Sequence, residues 1–197
     1  MVTAMNMQEI EIRVAERRDA GAVAAIYAPI VRETAISFET DPPTPDIMAR
    51  RIEIALQRYP WLVATRDGDV VGYAYGSEHQ PRAAYRWSVN MTVYVAANAH
   101  GRGVGRELYA TLIDILRAQG FCSAFAGIAL PNAASVALHE AVGFEPLGVY
   151  RDVGFKFGAW RDVGYWRLGL TASSGAPTEP IAFAAFRETS TFKSLIG

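Results

Sequence analysis

Cysteine, long apolar runs and an excess of charge of either sign are scarce or missing in this sequence. The one cysteine among its 197 residues, Cys122, allows no intrachain disulfide, and its place in the apolar run FCSAFAGIAL predicts a buried, unreactive thiol in a reducing compartment. No apolar stretch is long enough to cross a bilayer, and the N-terminal residues show no signal-peptide core, so we expect a cytoplasmic protein without membrane contact. Nineteen basic and twenty acidic side chains, with no block of like charge, give no reason to expect a nucleic-acid partner.

Histidine is scarce as well. His79, His100 and His139 are scattered too widely to match the spacing of a metal site, so we expect no metal. Apolar residues make up 51% of the chain, which is enough for one domain with a sizeable core.

The order of apolar and turn residues predicts a mixed α/β fold with antiparallel hairpins. EIEIRVA alternates as a strand does, and DAGAVAAIYAPIVRE has helical spacing. Thr44 and Pro45 mark the start of a second helix, and Asp67-Gly68 joins two strands as a hairpin. The strand WSVNMTVYV, a helix from Val104 that ends at Gly120, the strand CSAFAGIAL, the short helix PNAASVALHEAVGF and the strands PLGVYRDVGF and RDVGYWRLGL complete the order.

A glycine-rich turn, AHGRGVGREL, connects a strand to the helix from Val104. The first N–H groups of a helix have no intrahelical partners, and the helix dipole favours negative charge there, so such a turn can hold a phosphate. The spacing of Gly101, Gly103 and Gly105 matches neither a P-loop nor the dinucleotide-binding motif. The turn therefore either binds an anion or is only a tight connection.

Five blocks in a fixed order identify a family. AHGRGVGREL is similar to a pyrophosphate-binding turn and LPNAASVALHEAVGF to a Leu-Pro-Asn-x-x-Ser helix, while RYPWLVA, YRWSVNMTVYV and GFKFGAWRDVGYW match further blocks. Together they resemble the GNAT superfamily of N-acetyltransferases, and within it the phosphinothricin and methionine sulfoximine acetyltransferases. The resemblance covers residues 10–170 and implies the GNAT fold: a central mixed, mostly antiparallel sheet, splayed at the cofactor site and flanked by helices.

The resemblance also implies acetyl-CoA as cosubstrate. The backbone from Gly101 to Gly105 would hold its pyrophosphate, and the end of the preceding strand would pair with its pantetheine arm. In the short helix, Asn132, Ser135 and His139 share one face, although Asn132 could equally be a plain helix cap. The implied cofactor-binding residues are Val93, Tyr94, Val95, Gly101, Arg102, Gly103, Val104, Gly105, Arg106, Asn132 and Ser135.

Two residues are the predicted catalytic positions. His139 occupies the position at which this family carries a histidine, and imidazole can act as acid or base near neutrality, unless the ring is a satisfied structural histidine. Asn90 stands where the phosphinothricin-type enzymes carry a glutamate proposed as base. An amide orients a water but does not accept a proton usefully, so we expect either a water relay ending at His139 or at backbone carbonyls, or a weaker enzyme.

The acceptor pocket is implied by the same resemblance. Phe38, Arg82 and Tyr85 match positions that line it, where an arginine could clamp a carboxylate; the alternative is a solvated Arg82 and a core Phe38. Gln80 replaces a basic residue found in some phosphinothricin enzymes.

The last part of the sequence raises the question of assembly. Members of the family form homodimers through a segment like GFKFGAW, so Lys156, Phe157 and Trp160 are candidate interface residues; the alternative is a hairpin packed within its own chain. We divide the chain into an acetyltransferase domain, residues 1–170, and a linker and tail, residues 171–197. The tail is either disordered or docks through Phe183 and Phe186, on the domain or on a partner chain.

The function predicted is direct transfer of acetyl from acetyl-CoA to the α-amine of a small acceptor such as phosphinothricin, methionine sulfoximine or methionine sulfone. Two alternatives remain open: a GNAT enzyme that acts on peptide N-termini or polyamines, and a non-catalytic acyl-CoA-binding module. An open groove with an acidic lining would favour the first alternative, and binding of acetyl-CoA without thiol release would favour the second.

Overall fold

A computed structural model describes residues 10–171 and 175–196, which are built around one seven-stranded sheet. The strands are β1 (Glu11–Val14), β2 (Trp61–Arg66), β3 (Asp69–Glu78), β4 (Ser88–Val95), β5 (Ser123–Leu130), β6 (Glu145–Lys156) and β7 (Ala159–Gly169). They lie in the order β1-β2-β3-β4-β5-β7-β6, and only the β4–β5 pair is parallel. This confirms the predicted mixed, mostly antiparallel sheet.

Helices cover both faces of the sheet. They are α1 (Ala20–Glu33), α2 (Pro45–Arg58), α3 (Val104–Gln119), α4 (Ala133–Ala141), α5 (Phe183–Phe186) and α6 (Ser190–Ile196). Helices α1 and α2 pack on one face around Ile52, Trp61 and Tyr73, and α3 packs on the other around Leu108 and Leu112. None of the helices in the described ranges is both long and apolar enough to cross a bilayer.

The local signals in the sequence have the predicted structural effects. The Thr44 side chain accepts a hydrogen bond from the backbone N–H of Ile47 and so caps α2, which begins at Pro45. Gly120 ends α3 with a φ of 97°, a conformation that L side chains rarely adopt.

Cys122 differs from the prediction, because its side chain is half-buried. It lies one residue before β5, and its backbone N–H donates to the carbonyl of Trp87 over 2.8 Å. In β5 the inward side chains are those of Ala124, Ala126 and Ile128. An apolar run predicts burial for the segment, but the strand's alternation decides which residues point inward.

The tail packs against the rest of the chain. Phe183 and Phe186 are 0% and 2% exposed and belong to the same core cluster as α3. The backbone N–H of Ile181 donates to the carbonyl of Gln119, and the Gln119 side chain returns a hydrogen bond to the carbonyl of Ile181. Docking through the two phenylalanines therefore takes place on the chain's own core, whereas the division at residue 170 stays a prediction.

Candidate active site

The turn before α3 presents a row of backbone donors. Gly101 and Gly103 have φ values of 71° and 83°, which only glycine adopts without strain. Within the described part of the chain, the N–H groups from Gly101 to Gly105 have no hydrogen-bond acceptor, because the ladder of α3 starts with Arg106 donating to Gly103. Arg102 and Arg106 are exposed beside them. The turn can therefore bind an anion such as a pyrophosphate.

The sheet opens next to this turn. Strands β4 and β5 pair only from Ser88 to Asn90, after which β4 stays with β3 and β5 stays with β7. Val93, Tyr94 and Val95 lie on the freed edge of β4, and the Val95 carbonyl accepts a hydrogen bond from the His100 ring over 2.9 Å. An amide-bearing chain can pair with such an edge. The gap thus leads from the head of the opening at Asn90 to the glycine turn.

His139 lies on α4, on the α3 side of the sheet, and its side chain is 4% exposed. Its Nδ1 lies 2.7 Å from the carbonyl oxygen of Ser135, which can only accept, so Nδ1 carries the proton. Its Nε2 then accepts from the hydroxyl of Tyr109 over 2.9 Å. Burial lowers the pKa of His139 and raises that of Tyr109. The ring is neutral, and both of its nitrogens are bonded within the chain.

Ser135 and Asn132 hold the start of α4. The Asn132 side chain accepts from the backbone N–H of Ser135 over 3.1 Å, so it is a helix cap, as the alternative had it. A capping residue remains compatible with a place beside a ligand, because the amide nitrogen of the Asn132 side chain has no acceptor among the described residues.

Asn90 is the last β4 residue that pairs with β5, and its neighbours Val89 and Met91 point into the core under α3. The Asn90 side chain therefore lies on the opposite face, the α1–α2 face. There its Oδ1 is 2.9 Å from Nδ1 of His79, and its Nδ2 donates to the carbonyl of Glu78 over 3.0 Å. The structure thus places a histidine beside the asparagine that stands where the phosphinothricin-type enzymes carry a glutamate.

His79 and Tyr109 are the residues that reasoning from sequence missed. His79 follows β3 in the polar stretch EHQPR, and only the register of β3 against β4, in which Ser77 lies opposite Asn90, brings it there. Tyr109 lies on the buried face of α3, where its spacing is that of an ordinary core residue. The hairpin register could have suggested His79, whereas nothing in the sequence singled out Tyr109.

Arg82 and Tyr85 belong to the lining of one cavity. Both line a cavity of about 260 Å³ at the start of β4, together with Arg58, Glu78 and Arg86. A larger cavity of about 450 Å³, between α2 and strands β2 and β3, shares Arg58 and Glu78 with it. Arg86 is paired with Glu179 over 2.7 Å, but the guanidinium groups of Arg58 and Arg82 still outnumber the carboxylate of Glu78, so the cavity favours a negatively charged ligand group.

Phe38 lies apart from that cavity. It is 40% exposed and packs against Gly154 of β6, where a Cβ atom would overlap its ring. Phe38 is therefore not a core residue. The structure places it next to the β6–β7 hairpin instead of beside Arg82.

Of the three candidate interface residues, Lys156 is buried and the other two are not. Its ammonium group donates to the carbonyls of Val31, Ser37 and Glu39 over 2.7, 2.7 and 2.8 Å and is 7% exposed. Burial lowers the pKa of Lys156, against an opposing effect of Glu39. Lys156 therefore matches the alternative of a hairpin packed within its own chain, because three carbonyl groups of that chain accept hydrogen bonds from its ammonium group. Phe157 and Trp160 are 56% and 60% exposed.

Across residues 10–171 and 175–196, the structure contains no group of three or more His, Cys, Asp or Glu side chains arranged to hold a metal ion.

Comparison with known proteins identifies the family. The profile described as "Acetyltransferase (GNAT) domain" matches residues 12–164. The phosphinothricin N-acetyltransferase of Streptomyces viridochromogenes is 41% identical over 87% of this chain and 93% of its own. The L-methionine sulfoximine/L-methionine sulfone acetyltransferase of Pseudomonas aeruginosa is 39% identical over 81% of this chain and 97% of its own.

A solved structure agrees with these matches. The GNAT superfamily phosphinothricin acetyltransferase of Sinorhizobium meliloti, in complex with AcCoA, has a TM-score of 0.83 and 34% identity, over 87% of this chain and 95% of the other. The splayed sheet, the glycine turn and these likenesses lead to one conclusion. The chain belongs to the GNAT family and is an acetyl-CoA-dependent N-acetyltransferase.

Proposed function

We propose that the protein transfers the acetyl group of acetyl-CoA directly to the α-amine of a small, amino-acid-like acceptor of the phosphinothricin, methionine sulfoximine or methionine sulfone type. The relatives named for those acceptors are about 40% identical over more than four fifths of the chain. The observation that carries the proposal is the gap between β4 and β5, which runs from the free donors of the glycine turn to the polar residues at Asn90.

The cosubstrate fits this gap. We assign the pyrophosphate to the N–H groups from Gly101 to Gly105, including that of Val104, with Arg102 and Arg106 adding charge-assisted contacts. The pantetheine amides pair with β4 at Val93, Tyr94 and Val95, and Asn132 and Ser135 border the thiol end. Cys122 serves no acyl-carrying role, because it precedes β5 and its thiol faces the carbonyl of Gly120.

The acceptor's carboxylate would bind at the arginine cavity. Arg82 supplies a planar donor pair and Tyr85 a hydroxyl, while Arg58 adds positive charge. The same cations disfavour polyamines. Phe38 would reach the acceptor only from the β6–β7 side, so we expect it to matter less than Arg82.

His139 fills a different role from the one its position first suggests. Because Ser135 and Tyr109 occupy both ring nitrogens, a proton could reach or leave the ring only through the Tyr109 hydroxyl. We therefore assign His139 a structural role: through its hydrogen bond to the fully buried Tyr109, it holds α4 against α3.

A second copy of the chain is the proposed partner. Strand β6 is an edge strand, and the β6–β7 hairpin leaves seven large apolar side chains at least 40% exposed. They are Leu147, Val149, Tyr150, Val153, Phe155, Phe157 and Trp160. A contiguous apolar edge of this kind favours self-association. Sedimentation equilibrium should show a homodimer that the double variant Phe155→Asp/Trp160→Asp converts to a monomer. A double variant with the mass of a dimer would rule out this interface.

The acceptor is tested by thiol release. Purified protein with acetyl-CoA should release thiol with methionine sulfone, methionine sulfoximine or phosphinothricin, and not with spermidine or a peptide N-terminus. Arg82→Gln should raise KM for the amino acid about tenfold and leave KM for acetyl-CoA unchanged, since one charged hydrogen-bonded contact is lost. Arg32→Gln, on the exposed side of α1, is the matched control. Release with peptides or spermidine alone would overturn the acceptor class.

A further inference from the structure

We propose that His79 is the general base that takes the proton from the acceptor's amine, and that Asn90 holds it in the required tautomer. The inference rests on the acetyl transfer proposed above. The ring lies where β4 and β5 begin to separate, directly after the end of β3. It contacts Asn90 of β4, Phe125 of β5 and Tyr85 of the turn before β4.

The ring of His79 is fixed from two sides. It stacks on Phe125 with centroids 4.1 Å apart and an interplanar angle of 17°, and Tyr85 meets it edge-on at 5.9 Å. Phe125 pairs with Asn90 at the last rung before β4 and β5 separate. The imidazole therefore lies where a thioester in the gap and an amine from the acceptor side would meet.

The hydrogen bonds determine which nitrogen is basic. Asn90 donates through Nδ2 to the carbonyl of Glu78, so its Oδ1 is the atom that faces His79. An amide oxygen only accepts, and the Nδ1 of His79 must therefore carry the proton. The Nε2 lone pair is left, and it has no partner among the described residues. Asn90 cannot take a proton itself but selects the form of His79 that can.

The ionisable and charged groups near the ring come from the end of β3, the loop that follows it and β7. Tyr85 is the ionisable side chain in contact with it, and Glu78 precedes it and lines the cavity that contains Arg82 and Arg86. From β7, Arg167 is the cross-strand neighbour of Phe125, and its guanidinium donates to the hydroxyl of Ser123. Imidazole is the side chain whose ordinary pKa lies between pH 5 and 8, as a base working near neutrality requires.

The proposed step balances as follows. One proton of the bound ammonium passes to Nε2 of His79, directly or through one water, and frees the nitrogen lone pair. That nitrogen attacks the thioester carbonyl carbon, the C–N bond forms and the C–S bond breaks. The second proton lost by the nitrogen ends on the departing thiolate, and His79 returns its own proton to solvent. The products are the N-acetyl amino acid, the CoA thiol and one proton.

His79→Phe tests the role, because phenylalanine retains a ring on Phe125 and removes the base. With acetyl-CoA and methionine sulfone, kcat/KM near pH 7 should fall about 100-fold, the usual contribution of a general base. The loss should shrink towards pH 9, where free amine becomes available without a base. Binding of acetyl-CoA, measured by calorimetry, should not change. Asp114→Asn, on the exposed side of α3, is the control and should keep wild-type kcat/KM.

A second variant restores the base by another route. Asn90→Glu in the His79→Phe background puts a carboxylate at the head of the gap and should recover at least tenfold in kcat/KM, with the rising limb of the pH profile moved to lower pH. An active wild type whose pH profile is unaltered in His79→Phe would overturn the proposal for His79. A wild type that releases no thiol with any amine would instead overturn the proposed function.

Discussion

His79 and His139 lie on opposite faces of one sheet, and their surroundings differ in what they allow an imidazole to do. His139 is 4% exposed, and its two nitrogens are bonded to Ser135 and Tyr109. His79 is half-buried and has one nitrogen bonded to Asn90. His139 stands at the position predicted to be catalytic, yet its ring is part of the core. His79 lies in a loop that the sequence did not single out, yet its Nε2 has a lone pair that is not used within the described residues.

The comparison separates stability from proton transfer. Removal of the His139 side chain opens a cavity and leaves the buried hydroxyl of Tyr109 without a hydrogen-bond partner. Removal of the His79 imidazole leaves a place on the Phe125 ring that another aromatic side chain can occupy. The following variants test whether the two rings really divide these tasks.

The largest expected effect on folding comes from His139→Ala. The change removes a ring packed edge-on against Tyr109 and Phe144 at 5.1 and 5.3 Å and leaves the Tyr109 hydroxyl unpaired. We expect the free energy of unfolding, measured with urea, to fall by about 3 kcal/mol. His79→Phe is the matched comparison and should cost under about 1 kcal/mol. Equal losses in the two variants would contradict the division.

Tyr109→Phe comes next, because it keeps the ring and deletes only the hydroxyl. Nε2 of His139 then loses its donor in a buried site, which should cost about 2 kcal/mol of unfolding free energy. Thr191→Val, which removes an exposed hydroxyl on α6, is the control and should change the free energy of unfolding by less than about 0.5 kcal/mol. A Tyr109→Phe protein as stable as the wild type would mean that this hydrogen bond carries no net stability.

What the sequence predicts well is local. The caps at Thr44 and Gly120 and the glycine turn depend on residues a few positions apart, so pattern and residue type were sufficient. The separation of β4 from β5 was predicted only through the resemblance to the family.

Contacts between distant residues were not predictable in the same way. The His79–Asn90 pair depends on strand register and the conformation of the intervening loop, and Tyr109 meets His139 across 30 residues and two helices. Lys156 shows the limit most clearly: a lysine in a polar hairpin is ordinarily solvated, and only the fold brings three carbonyls around it.

The pH dependence of stability follows from the direction of the His139 shift. Burial lowers the pKa of His139 in the folded protein, so the unfolded chain binds the proton more readily, and stability falls as pH drops below about 6.5, the ordinary value for histidine. One proton changes stability by at most about 1.4 kcal/mol per pH unit. Carboxylates with lowered pKa, such as Asp19 and Glu39, act in the same direction at lower pH.

Urea unfolding at pH 7, 6 and 5 measures this slope. His139→Phe should flatten it between pH 7 and 5, whereas His79→Phe should leave it in place. A slope that survives in His139→Phe would assign the titration to another group.

The smallest expected effect is that of Asn90→Ala on catalysis. The imidazole of His79 remains, but the oxygen that selects its Nδ1–H form is gone, so a share of the protein carries the proton on the wrong nitrogen. We expect kcat/KM to fall threefold to tenfold, under about 1.4 kcal/mol of barrier, with the rising limb of the pH profile retained. A double-mutant cycle gives the control: in the His79→Phe background the same change should have no further effect, since it acts only through that ring. A loss of equal size in both backgrounds would show that Asn90 contacts the reactants on its own account and would move it from positioning His79 to a direct part in the reaction.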